Sequence, residues 1–118
     1  MTRLFGITTC DTVKKARRWL EAQAIPYEFC DLRGGELTAN RIEHWLQALG
    51  ASVLVNTRST TWRQLPPQTQ AATASTTPVA TLLANPTLLK RPVLEHEGGV
   101  YAGFSEAAYT HIFHSHIR

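Results

Sequence analysis

The 118-residue sequence predicts an α/β fold, a mixed four-stranded sheet with flanking helices and a helical insertion. Three observations carry that expectation. The opening third contains a short apolar run, a stretch with helical spacing and a second short run, all within about thirty residues; this is the length of a right-handed βαβ crossover and implies that its two strands pair in parallel. Near the C-terminus, two short runs flank a glycine-containing turn, the pattern of a β-hairpin, and a further helix follows them. The stretch between these halves carries helical stripes and several capping signals.

Taken in order, Leu4, Phe5 and Ile7 read as a buried strand because they form a brief apolar run without helical spacing, and Gly6 lets another part of the chain approach closely. From Asp11 the period changes. Val13, Ala16, Leu20 and Ala24 fall at helical spacing and predict one inward stripe, with Lys14, Lys15, Arg17 and Arg18 mostly on the solvent side. Pro26 opens a second strand, Tyr27 to Leu32, which Arg33, Gly34 and Gly35 end. Thr38 is the expected N-cap of the next helix, in which Ile42, Trp45, Leu46 and Leu49 face inward, Arg41 reads as a surface residue, and Gly50 closes the helix.

Val53, Leu54 and Val55 lead into Thr57, Arg58, Ser59, Thr60, Thr61, Trp62 and Arg63, a donor-rich loop or helix start suited to an oxyanion. Pro66 to Thr77 is poor in large apolar residues and is expected as a peripheral helix or cover. Thr77 as N-cap with Pro78 at the first helical position starts a short helix carrying Val79, Leu82 and Leu83, and Asn85 and Pro86 stop it. Pro92 to Glu95 and Gly99 to Ala102, separated by His96, Glu97 and Gly98, form the predicted hairpin. Ser105 caps a final helix whose inward stripe is Ala108, Tyr109, Ile112 and Phe113. The resulting order, β, α, β, several helices, β, β, α, is the thioredoxin-like one.

Composition narrows the function classes. The length suits one domain with a sizeable core. No apolar stretch approaches the roughly 20 residues of a membrane span, and the first residues, MTRLFG, lack the apolar segment of a secretory signal. A cytoplasmic, monomeric protein without a membrane partner is expected. Two cysteines cannot build a disulfide scaffold, and a reducing compartment leaves them free for chemistry. A net charge of +3 without a dense basic block favours small anionic partners over nucleic acid.

Cys10 stands where the first strand gives way to the first helix. First-turn amides have no partner within a helix, and together with the helix dipole they favour an anion at this end. A thiolate is such an anion, and helix N-termini and nearby cations bring a cysteine pKa from about 8.5 into the range of roughly 3.5 to 7.5. With Lys14 one turn away, Cys10 is the candidate nucleophile. Cys30, on a strand between Phe29 and Leu32, reads as a small core residue. His111, His114 and His116 read as a solvated face rather than a metal site, because no further ligand is placed near them by sequence.

Four segments, GITTCDTVKKARRWL, NTRSTTWRQL, KRPVLE and GFSEAAY, together resemble the arsenate reductase (ArsC)/Spx family, most closely its YffB branch, over nearly the whole chain. The resemblance implies a thioredoxin-like fold, with Cys10 matching the nucleophile and Arg58 and Arg91 matching arginines that surround it, Arg91 standing before the cis-proline equivalent Pro92. It makes Cys10, Arg58 and Arg91 the expected catalytic groups, and Thr9, Lys14 and Pro92 the expected substrate-binding neighbours. The position after Tyr101 where arsenate reductases carry a third arginine holds Ala102, Gly103 and Phe104, so arsenate is not the expected substrate. Spx regulators carry a second cysteine three residues after the first, where this chain has Val13. The expected activity is therefore a thiol-dependent reductase with no bound cofactor and with glutathione as the resolving co-substrate. The competing expectation is an Spx-like regulatory module that docks through the basic first helix on a protein such as RNA polymerase.

Overall fold

The computed structural model describes residues 1–35, 37–70 and 79–114. Its elements run β1 (Thr2–Gly6), α1 (Asp11–Ala22), β2 (Glu28–Asp31), α2 (Ala39–Leu49), α3 (Ala51–Leu54), α4 (Thr60–Gln64), α5 (Val79–Ala84), a single 3₁₀ turn (Pro86–Leu88), β3 (Val93–His96), β4 (Gly99–Ala102) and α6 (Glu106–His114). The sheet order is β2-β1-β3-β4. β1 and β2 pair in parallel, as the crossover length implies, whereas β3 runs antiparallel to both β1 and β4. Glu97 and Gly98 turn the hairpin with positive φ values of 50° and 82°, the tight two-residue geometry that matches the twist of the flanking strands. His96 belongs to β3 and pairs with Gly99 rather than lying in the turn.

Because successive side chains of a strand point to opposite faces, the central strands feed two cores. Leu4 and Leu94 join Ala16 and Leu20 of α1 and Tyr109, Ile112 and Phe113 of α6 on one face. Phe5 and Val93 meet Ile42 and Trp45 of α2, Leu54 of α3 and Leu82 of α5 on the other. The interior is thus shared between helices from both halves of the chain. The order β2-β1-β3-β4 with α1 and α6 on one side is the thioredoxin-like arrangement.

Three expectations are corrected. Ala24 is exposed and outside α1: the helix ends at Ala22, and Ala24 takes φ 57° so that its N–H reaches Glu21 O at 3.1 Å and the N–H of Ile25 reaches Leu20 O at 3.0 Å. That reverse turn ends the helix before the stripe reaches Ala24. Ala108 is also exposed; Ser105 caps α6 by accepting the Ala108 N–H at 3.1 Å, which places Ala108 at the helix start while Tyr109, Ile112 and Phe113 carry the burial. Arg41 is not a surface residue. Its Nη1 lies 2.6 Å from Glu95 Oε1, its guanidinium sits 4.7 Å over the Phe5 ring, and the same carboxylate accepts the Trp45 indole N–H at 2.8 Å through Oε2. The Thr77–Pro78 helix start and most of the expected cover at 66–77 lie outside the described residues.

Candidate active site around Cys10

The turn between β1 and α1 is built on close approach. A Cβ on Gly6 would lie 2.7 and 2.9 Å from the two methyls of Val13, so the first turn of α1 rests directly on the end of β1. Thr8 and Thr9 are exposed in this turn, and the N–H of Cys10 donates back to Ile7 O at 3.0 Å. Cys10 itself is the N-cap, with extended backbone (φ −79°, ψ 124°), and its carbonyl accepts the N–H of Lys14 at 3.0 Å. The thiol is half-buried.

Its electrostatics follow from that position. Burial pushes the thiol pKa up, but the backbone N–H groups of Val13 and Thr12 and the hydrogen bond and charge of Arg91 act against burial, and the balance leaves Cys10 below its ordinary value. The amide contribution is the one expected of a helix N-terminus. The cation is a different one from that expected: Arg91, two residues before β3, acts on the thiol, while the Lys14 side chain is exposed.

Arg91 is held in place by the segment before it. Its Nη1 donates to Thr87 O at 2.9 Å, and its Nε is buried without a hydrogen-bond partner among the described residues. Thr87 in turn pairs its hydroxyl with that of Thr61 at 2.6 Å, tying the 3₁₀ turn to α4. Two backbone bonds, Asn56 N–H to Leu88 O and Lys90 N–H to Leu54 O, both 2.7 Å, lay the α3–α4 connection against residues 88–90. The peptide between Arg91 and the buried Pro92 is cis, and Pro92 O accepts the N–H of Gly103 at 2.8 Å.

Of the three expected catalytic groups, the structure brings Cys10 and Arg91 together. Arg58 lies on the adjoining connection in a turn closed by its own N–H and Asn56 Oδ1 at 3.1 Å, with an exposed side chain. The groups that lower the Cys10 pKa are Val13, Thr12 and Arg91, and Arg58 is not among them. Thr61 belongs to the donor-rich stretch, but its link to Thr87 is not visible in the sequence. Their pairing spans 26 positions, and neither carries a local sequence signal beyond a hydroxyl. Cys30 is buried on β2 opposite Phe5. A cavity of about 550 Å³ at the other end of the sheet, between Arg3, Arg41, His44 and Glu95, is remote from this thiol.

Comparison with known proteins places this geometry in a family. The ArsC family model matches residues 5–112. An uncharacterized protein of Haemophilus influenzae is 41% identical over 113 residues, covering 96% of this chain and 99% of that protein. The global transcriptional regulator Spx of Staphylococcus haemolyticus is 30% identical over 112 residues, covering 90% and 82%. Among solved structures, the YffB protein superposes with a TM-score of 0.85 at 34% identity, covering 93% of this chain and 96% of that one. An arsenate reductase (ArsC) related protein from Brucella melitensis gives 0.75 at 37% identity, covering 95% and 93%. With a thioredoxin-like sheet that leads into a cysteine at the N-cap position of α1, and matched by that family model over nearly its full length, the chain belongs to the ArsC/Spx family, on its YffB branch.

Proposed function

We propose that the protein is a glutathione-dependent thiol reductase acting through Cys10. The observation that carries this reading is the juxtaposition of the Cys10 thiol with the first-turn amides of α1 and with Arg91, an arrangement that holds the thiol pKa below its ordinary value and so favours the thiolate nucleophile. In the proposed cycle the Cys10 thiolate attacks the glutathione sulfur of a mixed disulfide, a Cys10–glutathione disulfide forms, and the substrate leaves as its thiolate. A second glutathione thiolate then attacks the glutathione sulfur held on Cys10, releasing glutathione disulfide and regenerating the Cys10 thiolate. The α1 position where Spx regulators carry a second cysteine is Val13, and Cys30 is buried, so the resolving thiol comes from outside the chain. Arg91, and Arg58 when its side chain swings from the exposed turn, bind the carboxylates of glutathione.

The test is turnover of a glutathionylated peptide. Activity lost in Cys10→Ser and dependent on glutathione supports the reading; a native protein that is alkylated no faster than a free cysteine peptide and turns over no mixed disulfide overturns it.

A second reading rests on the Spx relatives: a regulatory module docking on an acidic protein surface through Lys14, Lys15 and Arg18, all exposed on α1. Charge reversal at Lys14 and Arg18 that abolishes partner capture, with Cys10→Ser leaving capture intact, decides for docking. Loss of turnover in Cys10→Ser with no captured partner decides for the enzyme.

A further inference from the structure

The two edges of the sheet are built differently. The outer strand β2 follows Pro26, carries Glu28 and Asp31, and has the Arg17 guanidinium 4.2 Å over Phe29. Proline and charge are the devices that keep an edge strand from pairing with another chain. The other edge strand, β4, reads GVYA and carries neither.

The backbone groups that β4 leaves open can be identified. Gly103 donates to Pro92 O, and the register pairs Val93 with Ala102 and Leu94 with Tyr101. In an antiparallel ladder the groups facing a given neighbour alternate, so Gly99, Tyr101 and Gly103 face β3, while Val100 and Ala102 turn their N–H and C=O outward. Among the described residues, no group outside the sheet bonds to the backbone of either. A slot of about 450 Å³ runs beside them, with apolar walls supplied by Leu49 and Val53 on one side and by Ala108 and Ile112 on the other. Val53, 44% exposed, is one of the few large apolar side chains left open among the described residues.

We propose that this edge is a self-pairing surface: two copies of the chain join antiparallel through β4 into one continuous sheet. The outward groups choose the register. Val100 opposite the partner's Ala102, and Ala102 opposite the partner's Val100, makes two hydrogen-bonded pairs, whereas either residue opposite its own copy makes one. This register sets Tyr101 against the partner's Tyr101. It also brings charges of opposite sign together. Lys90, exposed, has its Cε 3.1 Å from where a Gly103 Cβ would be, and Gly103 falls opposite the partner's Gly99, beside the hairpin tip that carries the partner's Glu97. Glu97 is 66% exposed, with the terminal amine 3.9 Å away. Cys10 follows β1, two strands in from the junction, so the antiparallel pairing leaves both thiols open at opposite ends of the joined sheet.

The experiment is sedimentation combined with amide exchange, from low to high micromolar protein. The expected result is a mass approaching twice 13.1 kDa with rising concentration, and exchange protection that rises in step at the Val100 and Ala102 amides. Ala102→Pro removes one outward N–H at a position where an edge strand tolerates proline, and should give a folded monomer by circular dichroism. Lys90→Glu and Glu97→Lys should each weaken the dimer about tenfold, since both symmetry-related contacts turn repulsive, and the double reversal should restore it. A monomer mass at every concentration overturns the proposal. So does a dimer whose protection maps elsewhere, or one that the double reversal fails to restore.

Discussion

A methyl group on Gly6 would lie 2.7 Å from Cγ2 of Val13, so the last residue of β1 and the third of α1 meet through a gap that only a glycine leaves. Between them the chain turns through Cys10, and the Val13 N–H is one of the groups that favour its thiolate. Gly6→Ala should therefore cost about 1–3 kcal/mol of stability by overpacking and move the Cys10 pKa upward as the helix is pushed off the strand. Urea unfolding of Gly6→Ala, Val13→Ala and the pair checks it: the double variant should lose less than the two single losses combined.

Cys10 carries its own pH signature. Its folded-state pKa lies below the ordinary thiol value, so its contribution to stability is present above the unfolded-state pKa and is lost as pH falls through the folded-state pKa. The stability gap between the native protein and Cys10→Ser should widen as pH rises through that window. Arg91→Met should shift the alkylation midpoint of Cys10 upward, whereas Lys14→Met should leave it nearly unmoved, because Arg91 is the cation that acts on the thiol. A larger shift from Lys14→Met would contradict the geometry.

Arg91 and Arg58 should differ as anion-binding groups. Arg91 is anchored through Nη1 on Thr87 O, so Arg91→Lys, which keeps the charge but loses the planar fork, should weaken glutathione binding by about 10- to 150-fold, the loss of one charge-assisted hydrogen bond. Arg58→Lys, on an exposed turn, should cost about tenfold or less, since an exposed ion pair is worth little. Arg33, exposed after β2, is the suitable control and should bind as the native protein does after substitution by lysine. Calorimetric titration with glutathione separates the three.

Glu95 holds α2 to the sheet from two sides, taking Arg41 on Oε1 and the Trp45 indole on Oε2. Glu95→Ala leaves the half-buried Arg41 and the buried Trp45 indole without this partner and should cost about 1–3 kcal/mol, with Glu95→Gln recovering part of the loss through the indole bond. Thermal unfolding of the two variants reads the difference.

Ala24 occupies a left-handed position that favours glycine, so Ala24→Gly should stabilise the end of α1, by up to about 1 kcal/mol. Urea midpoints of the two proteins measure it.

The parts of the fold that were legible are those written in local patterns. The change of period at Asp11, the cap at Thr38, the hairpin around Glu97 and Gly98 and the cap at Ser105 each depend on residues a few positions apart. Arg41 shows where that reading stops: the residue on its own helix is polar and reads as solvated, and its burial is decided by Glu95 on a strand 54 positions away. The site divides in the same way. The helix end that favours the Cys10 thiolate could be read from one junction, but the choice of Arg91 over Lys14 as the acting cation needed the sheet order, which sets the start of β3 beside the end of β1. Ala24 and Ala108 misled because helical spacing says nothing of where a helix ends or how its first turn is oriented.

The central strand β1 draws its two neighbours from opposite ends of the chain: β2 follows closely, and β3 arrives only after the whole helical insertion. Local contacts close faster than distant ones, so the β1–α1–β2 unit has a head start during refolding, while docking of β3 must wait for a long loop to close. Arg91 travels with β3. A refolding chain should thus pass through a period in which Cys10 already caps its helix yet lacks its guanidinium, and a pulse of alkylating agent should catch the thiol less reactive early than late. Reactivity that reaches its final value before β3 amides gain exchange protection would rule that sequence out.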